Sequence, residues 1–251
     1  MAAVSGRWAV DEPQFETWRE AQLILIRHGE SHWNAEGRVQ GQLGTGLTPL
    51  GHTQAAAVSR HLHATYPKPA LVFSSDLERV MQTSAPYLSR TGYPVELDKR
   101  LREIDCGAWS GLLREDVLER FPEEIAAIQA GEDVRRGGGE NFAAMRARVG
   151  EALRDIAELT VRGIPPENTA TALVFTHGGP VRVATAEALD LPPDGHRLLE
   201  PPDNCSVTIL NMTVDPDGEV TAIRLGGYNS VFFSSVDATT HSADAVGERQ
   251  P

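Results

Sequence analysis

Leu23-Ile24-Leu25-Ile26-Arg27-His28-Gly29-Glu30 is the stretch on which the reading of this chain turns. Four consecutive apolar residues with no polar alternation suit a strand covered on both faces. The run stops abruptly at a cation, an imidazole and a glycine. A strand ending this way delivers Arg27 and His28 to a loop at its carboxyl end, where open α/β sheets bind their ligands. A neutral imidazole is a nucleophile. A guanidinium holds phosphate oxygens through charge-assisted hydrogen bonds.

Three more apolar runs read as strands: 70–73, 172–175 and 207–210. The first of these leads into Ser74-Ser75-Asp76-Leu77-Glu78-Arg79, and the second into Thr176-His177-Gly178-Gly179. Helical periodicity fills the intervals. Ala55, Val58 and Leu62 share one face of a helix over 51–66, and Phe142, Met145, Val149, Leu153, Ile156 and Leu159 mark a long amphipathic helix. Shorter helices are predicted over 78–90, opened by a Ser75-x-x-Glu78 capping box, and over 181–189. Alternating strand and helix predict an α/β fold with a mainly parallel sheet. If the strands ending at Ile26, Phe73 and Phe175 are neighbours, Arg27, His28, Arg79 and His177 converge on one crevice, with helix amino termini adding donors for an anion.

The chain has 251 residues, enough for one substantial domain. A single domain is expected over 21–233, preceded by an arm over 1–20 and followed by a polar tail over 234–251. Residues 110–140 are expected to form a cap of short helices ending in the flexible run Arg136-Gly137-Gly138-Gly139. The net charge of -12 argues against nucleic acid or an anionic membrane as partner. No apolar run approaches the roughly 20 residues of a membrane span. The first residues lack the pattern of a secretory signal, so a cytoplasmic location is the expectation. Cys106 and Cys205 form neither a zinc spacing nor a redox pair. His28-x-x-x-His32 has metal-ligand spacing but lacks the accompanying Glu and the helix, so no metal site is expected. His52, His61, His63, His196 and His241 show no partner pattern, with His61 and His63 expected on the exposed side of their helix. The glycine runs match neither a dinucleotide fingerprint nor a phosphate loop with its lysine, and no cofactor is implied.

Taken in order, five segments resemble the histidine phosphatase superfamily, in the branch that holds cofactor-dependent phosphoglycerate mutases and their phosphatase relatives. They are Leu25 to Ser31 with Trp33-Asn34; Leu47-Thr48-Pro49-Leu50-Gly51; Ser74 to Leu77 with Arg79 and Gln82-Thr83; Leu101-Arg102-Glu103 with Gly107, Trp109 and Gly111; and Thr176 to Gly179. The resemblance implies a phosphoglycerate mutase-like three-layer sandwich with a small cap. It also implies roles. His28 would accept the phosphoryl group, and Arg27, Arg79, Asn34 and a protonated His177 would hold its oxygens. Glu103 would protonate the leaving alkoxide and then activate water, a role that needs the carboxyl to hold a proton at the moment of cleavage.

Ile104 to Gly111 and Thr176 to Pro180 look more like the phosphatase relatives, and the segment after Gly111 is short for a mutase lid. A metal-independent phosphomonoesterase acting on a small phosphorylated metabolite is therefore favoured. A mutase-type phosphotransferase and a non-catalytic phosphate-binding protein are the alternatives. Arg102, Arg135 and Arg136 are candidates for recognising a second anionic group. Oligomeric state is not legible, and a homodimer stays open only because dimers are common.

Overall fold

The computed structural model describes residues 17–162, 164–165 and 168–233. Six strands form one sheet: β1 (Arg19–Arg27), β2 (Leu71–Ser74), β3 (Glu96–Leu97), β4 (Ala170–Thr176), β5 (Val207–Val214) and β6 (Val220–Ser230). Their order is β3-β2-β4-β1-β5-β6. The first four run parallel to one another, while β5 is antiparallel to both β1 and β6. The three strands that end in polar signatures are thus adjacent, with β4 between β2 and β1.

Seven α-helices accompany them among the described residues: α1 (His32–Ala35), α2 (Pro49–Thr65), α3 (Glu78–Thr91), α4 (Arg114–Arg120), α5 (Pro122–Gln129), α6 (Phe142–Val161) and α7 (Gly178–Ala188). Strand side chains alternate between two cores. Leu23 and Leu25 of β1, with Ala172 and Val174 of β4, join the α6 and α7 face, where Met145, Val149, Ile156 and Val181 pack. Ile24 and Ile26, with Leu173 and Phe175, face Val58 and Leu62 of α2 and Val80 and Tyr87 of α3. This two-sided cover explains why these strands carry unbroken apolar runs.

Four details differ from expectation. Arg19 and Glu20, placed in an arm, extend β1 and pair with Val214 and Thr213 of β5; residues 1–16 and the tail lie outside the described residues. Ser75 does not cap α3. The cap residue is Leu77, without a side-chain bond, and the Ser75 hydroxyl accepts from Leu77 N at 3.4 Å while meeting His177 Nε2 at 2.9 Å. Arg136 to Gly139, expected to be a flexible run, is packed. A Cβ on Gly137 would lie 2.7 Å from the backbone of Cys106, Ala108 and Trp109, and one on Gly139 would overlap the Asp105 carbonyl. Two backbones press together there, and glycine is what permits it. The segment 110–140 also shares the main core: Val117, Ile125 and Ile128 belong to the same cluster as Trp109 and Met145. The fourth difference is the β5–β6 hairpin, whose Asp215-Pro216-Asp217-Gly218 turn, with Gly218 at φ +90°, was a legible signal that the apolar runs left aside.

Candidate active site

β1 ends at Arg27, and the chain that follows is fixed from every side. The His28 amide donates to Thr176 O, and the His28 carbonyl accepts from Asn204 Nδ2 at 3.0 Å. The Gly29 amide donates to Thr83 Oγ1 at 2.9 Å. A Cβ on Gly29 would sit 2.7 Å from Gly51 O, so this glycine lets α2 approach the nucleophile loop. Thr48, the N-cap of α2, receives the Gly51 amide and donates to Glu30 Oε1 at 2.7 Å. The Leu47 to Gly51 and Gln82-Thr83 segments therefore seat the His28 loop.

His28 is buried. Its Nδ1 lies 2.8 Å from Gly29 O, which can only accept, so Nδ1 carries the proton and Nε2 holds the lone pair. Nε2 faces Arg79 Nε, which donates to it at 3.2 Å. Arg79 is itself held: its two terminal nitrogens donate to Leu43 O at 2.9 Å and Gly41 O at 2.7 Å. Arg27 is buried, donates to Pro202 O, and lies beside Gly178 at the start of α7.

The His177 ring stands 5.2 Å from that of His28, edge to face. Its Nε2 pairs with Ser75 Oγ at 2.9 Å, while no described residue hydrogen-bonds its Nδ1. Burial pushes the pKa of His28 well below the usual 6.5, with Arg79 and Arg27 adding to the effect against a weaker pull from Gly29 O. Burial, Arg79 and then His28 do the same to His177. Burial and the neighbouring charges thus favour the neutral His177 imidazole when no anion lies between the rings. A phosphate dianion bound between the rings would reverse the sign of the local field.

Glu103 is buried at the amino end of α7, where Gly179 N donates to Oε2 at 3.0 Å and Ile104 N to Oε1 at 2.9 Å. Asn34 is buried in α1 with Oδ1 among Ser31 and Asn204; its Nδ2 has no partner among the described residues. That donor and His177 Nδ1 are buried polar groups of the kind a bound anion can satisfy. The structure thus brings together Arg27, His28, Asn34, Arg79, Glu103 and His177.

The other candidates are already engaged. Arg102 makes a two-pronged pair with Asp76 and donates to Gln42 Oε1 at 3.2 Å. Arg136 lies 4.2 Å over the Phe142 ring, whose stacking partner is the buried His196 at 3.8 Å. Arg135 is exposed and donates to Gly139 O. His61, expected to be exposed, stacks on Phe232, and His241 lies outside the described residues. Among the described residues, no group of three or more His, Cys, Asp or Glu could hold a metal ion. A groove of about 380 Å³ between α6 and Glu187 to Leu191, lined by Arg146, Arg154, Glu187 and Asp190, contains none of the site residues. Ser75, Gln42, Asn204 and Arg148 were missed from the sequence. Only Ser75, next to a strand end, had a positional signal.

The model of the histidine phosphatase superfamily (branch 1) matches residues 23–221. The chain belongs to this superfamily. Among similar histidine phosphatases is a glucosyl-3-phosphoglycerate phosphatase of Mycolicibacterium vanbaalenii, 33% identical over 202 residues, covering 80% of this chain and 88% of the relative. A probable phosphoglycerate mutase of Enterobacter sp. is 32% identical over 203 residues, covering 78% and 86%. The native structure of a mycobacterial glucosyl-3-phosphoglycerate phosphatase superposes with a TM-score of 0.74 at 32% identity, covering 84% of this chain and 100% of that one.

Proposed function

We propose that this histidine phosphatase hydrolyses a small phosphorylated metabolite without a metal, through a phosphohistidine on His28. The observation that carries the reading is the fixed tautomer. Gly29 O takes the proton on Nδ1, so the Nε2 lone pair is presented beside the Arg79 guanidinium. A phosphate dianion draws the Arg79 donor onto its own oxygens and uncovers Nε2, with Arg27, Asn34 and His177 as further donors. Nε2 attacks phosphorus in line with the ester oxygen. As the N–P bond forms, the O–P bond breaks and Glu103 gives its proton to the leaving alkoxide. The Nδ1–H bond to Gly29 O stabilises the positive charge that grows on the ring. In the second half, Glu103 takes a proton from water, which attacks phosphorus and returns His28 to its starting state.

The glucosyl-3-phosphoglycerate named for two of the relatives supplies the first substrate to test, within a wider class of small anionic phosphomonoesters. The mutase reading has one observation in its favour, the similarity to a probable phosphoglycerate mutase. Both are decided together. Phosphate release is measured over a panel of phosphomonoesters with and without EDTA, alongside a 3- to 2-phosphoglycerate isomerisation assay. Hydrolysis that survives EDTA, with an acid-labile phosphoryl label absent from His28→Ala, supports the proposal. Isomerisation outpacing release overturns hydrolysis as the main activity, and a label retained by His28→Ala removes the nucleophile.

A further inference from the structure

Glu103 sits in a stretch with no sheet partner to hold it. A short 3₁₀ turn covers Lys99–Leu101, Arg102 is extended at φ -64° and ψ 157°, and the carbonyls that follow have no ladder to join. Buried carbonyls of this kind need donors from elsewhere. One side chain supplies most of them. Arg148 of α6 donates through Nη1 to Arg100 O at 2.8 Å and Arg102 O at 2.6 Å, and through Nη2 to Glu103 O at 2.8 Å.

Arg148 is in turn fixed from its other edge. Its Nε donates to Glu140 Oε1 and its Nη2 to Glu140 Oε2, both at 2.8 Å, a two-pronged pair. Although burial alone would raise the Glu140 carboxyl, its bonds to Arg148 and Asp105 N hold it below the ordinary value. Glu140 Oε2 accepts from the Asp105 amide at 3.0 Å, and the Glu140 amide donates to Asp105 O at 2.8 Å. One ion pair thus pins the chain on both sides of Glu103. Gln42 Nε2 adds a second donor to Glu103 O at 3.2 Å.

We propose that Arg148, gripped by Glu140, is a positioning residue that sets the place of the Glu103 carboxyl at the start of α7. This rests on Glu103 being the proton donor, as proposed above. Arg148 acts through the backbone and not on the substrate. Its loss therefore weakens protonation of the leaving group, while Arg148 reaches the phosphate cradle only as a charge on His177 weaker than those of Arg79 and His28. The signature is dependence on the leaving group, because nitrophenolate departs without a proton and an alkoxide does not.

The test compares kcat and KM for p-nitrophenyl phosphate and glycerol phosphate in the full chain and in Arg148→Met, Arg148→Lys, Glu103→Gln and the Arg148→Met/Glu103→Gln double variant. A displacement near 1 Å at a reacting group costs on the order of 100-fold. The expected result is a kcat loss for Arg148→Met about ten- to 100-fold greater on glycerol phosphate than on p-nitrophenyl phosphate, with little change in KM. Arg148→Lys recovers little, since one ammonium cannot serve three carbonyls and a carboxylate. Adding Arg148→Met to Glu103→Gln costs nothing further on glycerol phosphate. Equal losses on the two esters, or losses that multiply in the double variant, overturn the proposal. If Arg148→Met lacks a cooperative unfolding transition, Glu140→Gln replaces it in the same comparison, with the same outcomes decisive. Should Glu103→Gln itself slow both esters equally, the proton-donor reading falls first, a result distinct from a selective Glu103→Gln beside an unselective Arg148→Met.

Discussion

His28 and His177 are two neutral imidazoles enclosed with two guanidinium groups, an arrangement with a direct consequence for stability. Both are held well below 6.5, chiefly by burial. In the unfolded chain each takes up a proton near its ordinary value, whereas the folded, ligand-free site resists doing so until its lowered pKa is reached. The unfolded state then binds more protons, so stability falls as pH drops below 6.5. The expected slope is about 1 kcal/mol per pH unit for each imidazole, read from urea unfolding of phosphate-free protein between pH 7 and pH 5. His177→Asn should flatten the curve; an unaltered slope would mean that His177 is not neutral in the folded site. At this scale the sequence was informative where a side chain stands at a strand end. Arg27, His28 and His177 are of that kind, and Arg79 follows one closely. It was silent on Gln42 and Arg148, because an amide or a helix cation has no local pattern that says which distant atom it meets, and it read Ser75, at a strand end, as a helix cap. Nor could it show how burial lowers the pKa of His177, since burial is a property of the assembled fold.

The elements that make the site meet backbone to backbone, and glycine marks the meeting points. A Cβ on Gly51 would overlap the Glu30 carbonyl, while Gly29 faces Gly51 from the other side. Gly51→Ala must push the start of α2 away from the loop that carries His28. It should destabilise by about 1–3 kcal/mol and lower kcat as well. Gly227→Ala, where the added methyl meets nothing within 4 Å, is the matched control and should stay within about 0.5 kcal/mol of the parent. Denaturant midpoints decide, and equal behaviour of the two variants would remove the packing argument. The same residue type explains an error of reading. Arg136 to Gly139 read as a flexible run because glycine signals freedom and close approach alike. Strands covered on both faces were legible as apolar runs. The two-residue β3 had no signal to give, and β6 carries Gly226-Gly227 in place of a clean alternation.

For the molecule as a whole, an acidic protein with a net charge of -12 encloses buried arginines in a crevice for an anion. Inorganic phosphate should therefore stabilise it beyond any effect of ionic strength. Thermal unfolding in phosphate against chloride at equal ionic strength measures this, and saturation at 100 times Kd corresponds to about 2.7 kcal/mol. The gain should vanish in Arg79→Met; a gain that persists would place the anion elsewhere. The mainly parallel α/β class was legible because three of the four apolar runs are the neighbouring central strands. The antiparallel edge was not, because strand direction follows from connections whose turns went unread.

Sheet order also sets a timetable. β1 is the first described strand to leave the ribosome, yet its two neighbours are β4 and β5, from the far part of the chain. At about 5–20 residues per second, an interval of roughly 10–40 s separates synthesis of Ile26 from that of Val207. Until β4 emerges, for most of that interval, Leu23 to Ile26 is an apolar segment with neither neighbour to pair with. Newly made chains of this protein therefore carry an unpaired apolar strand for longer than chains whose sheets are built from consecutive hairpins.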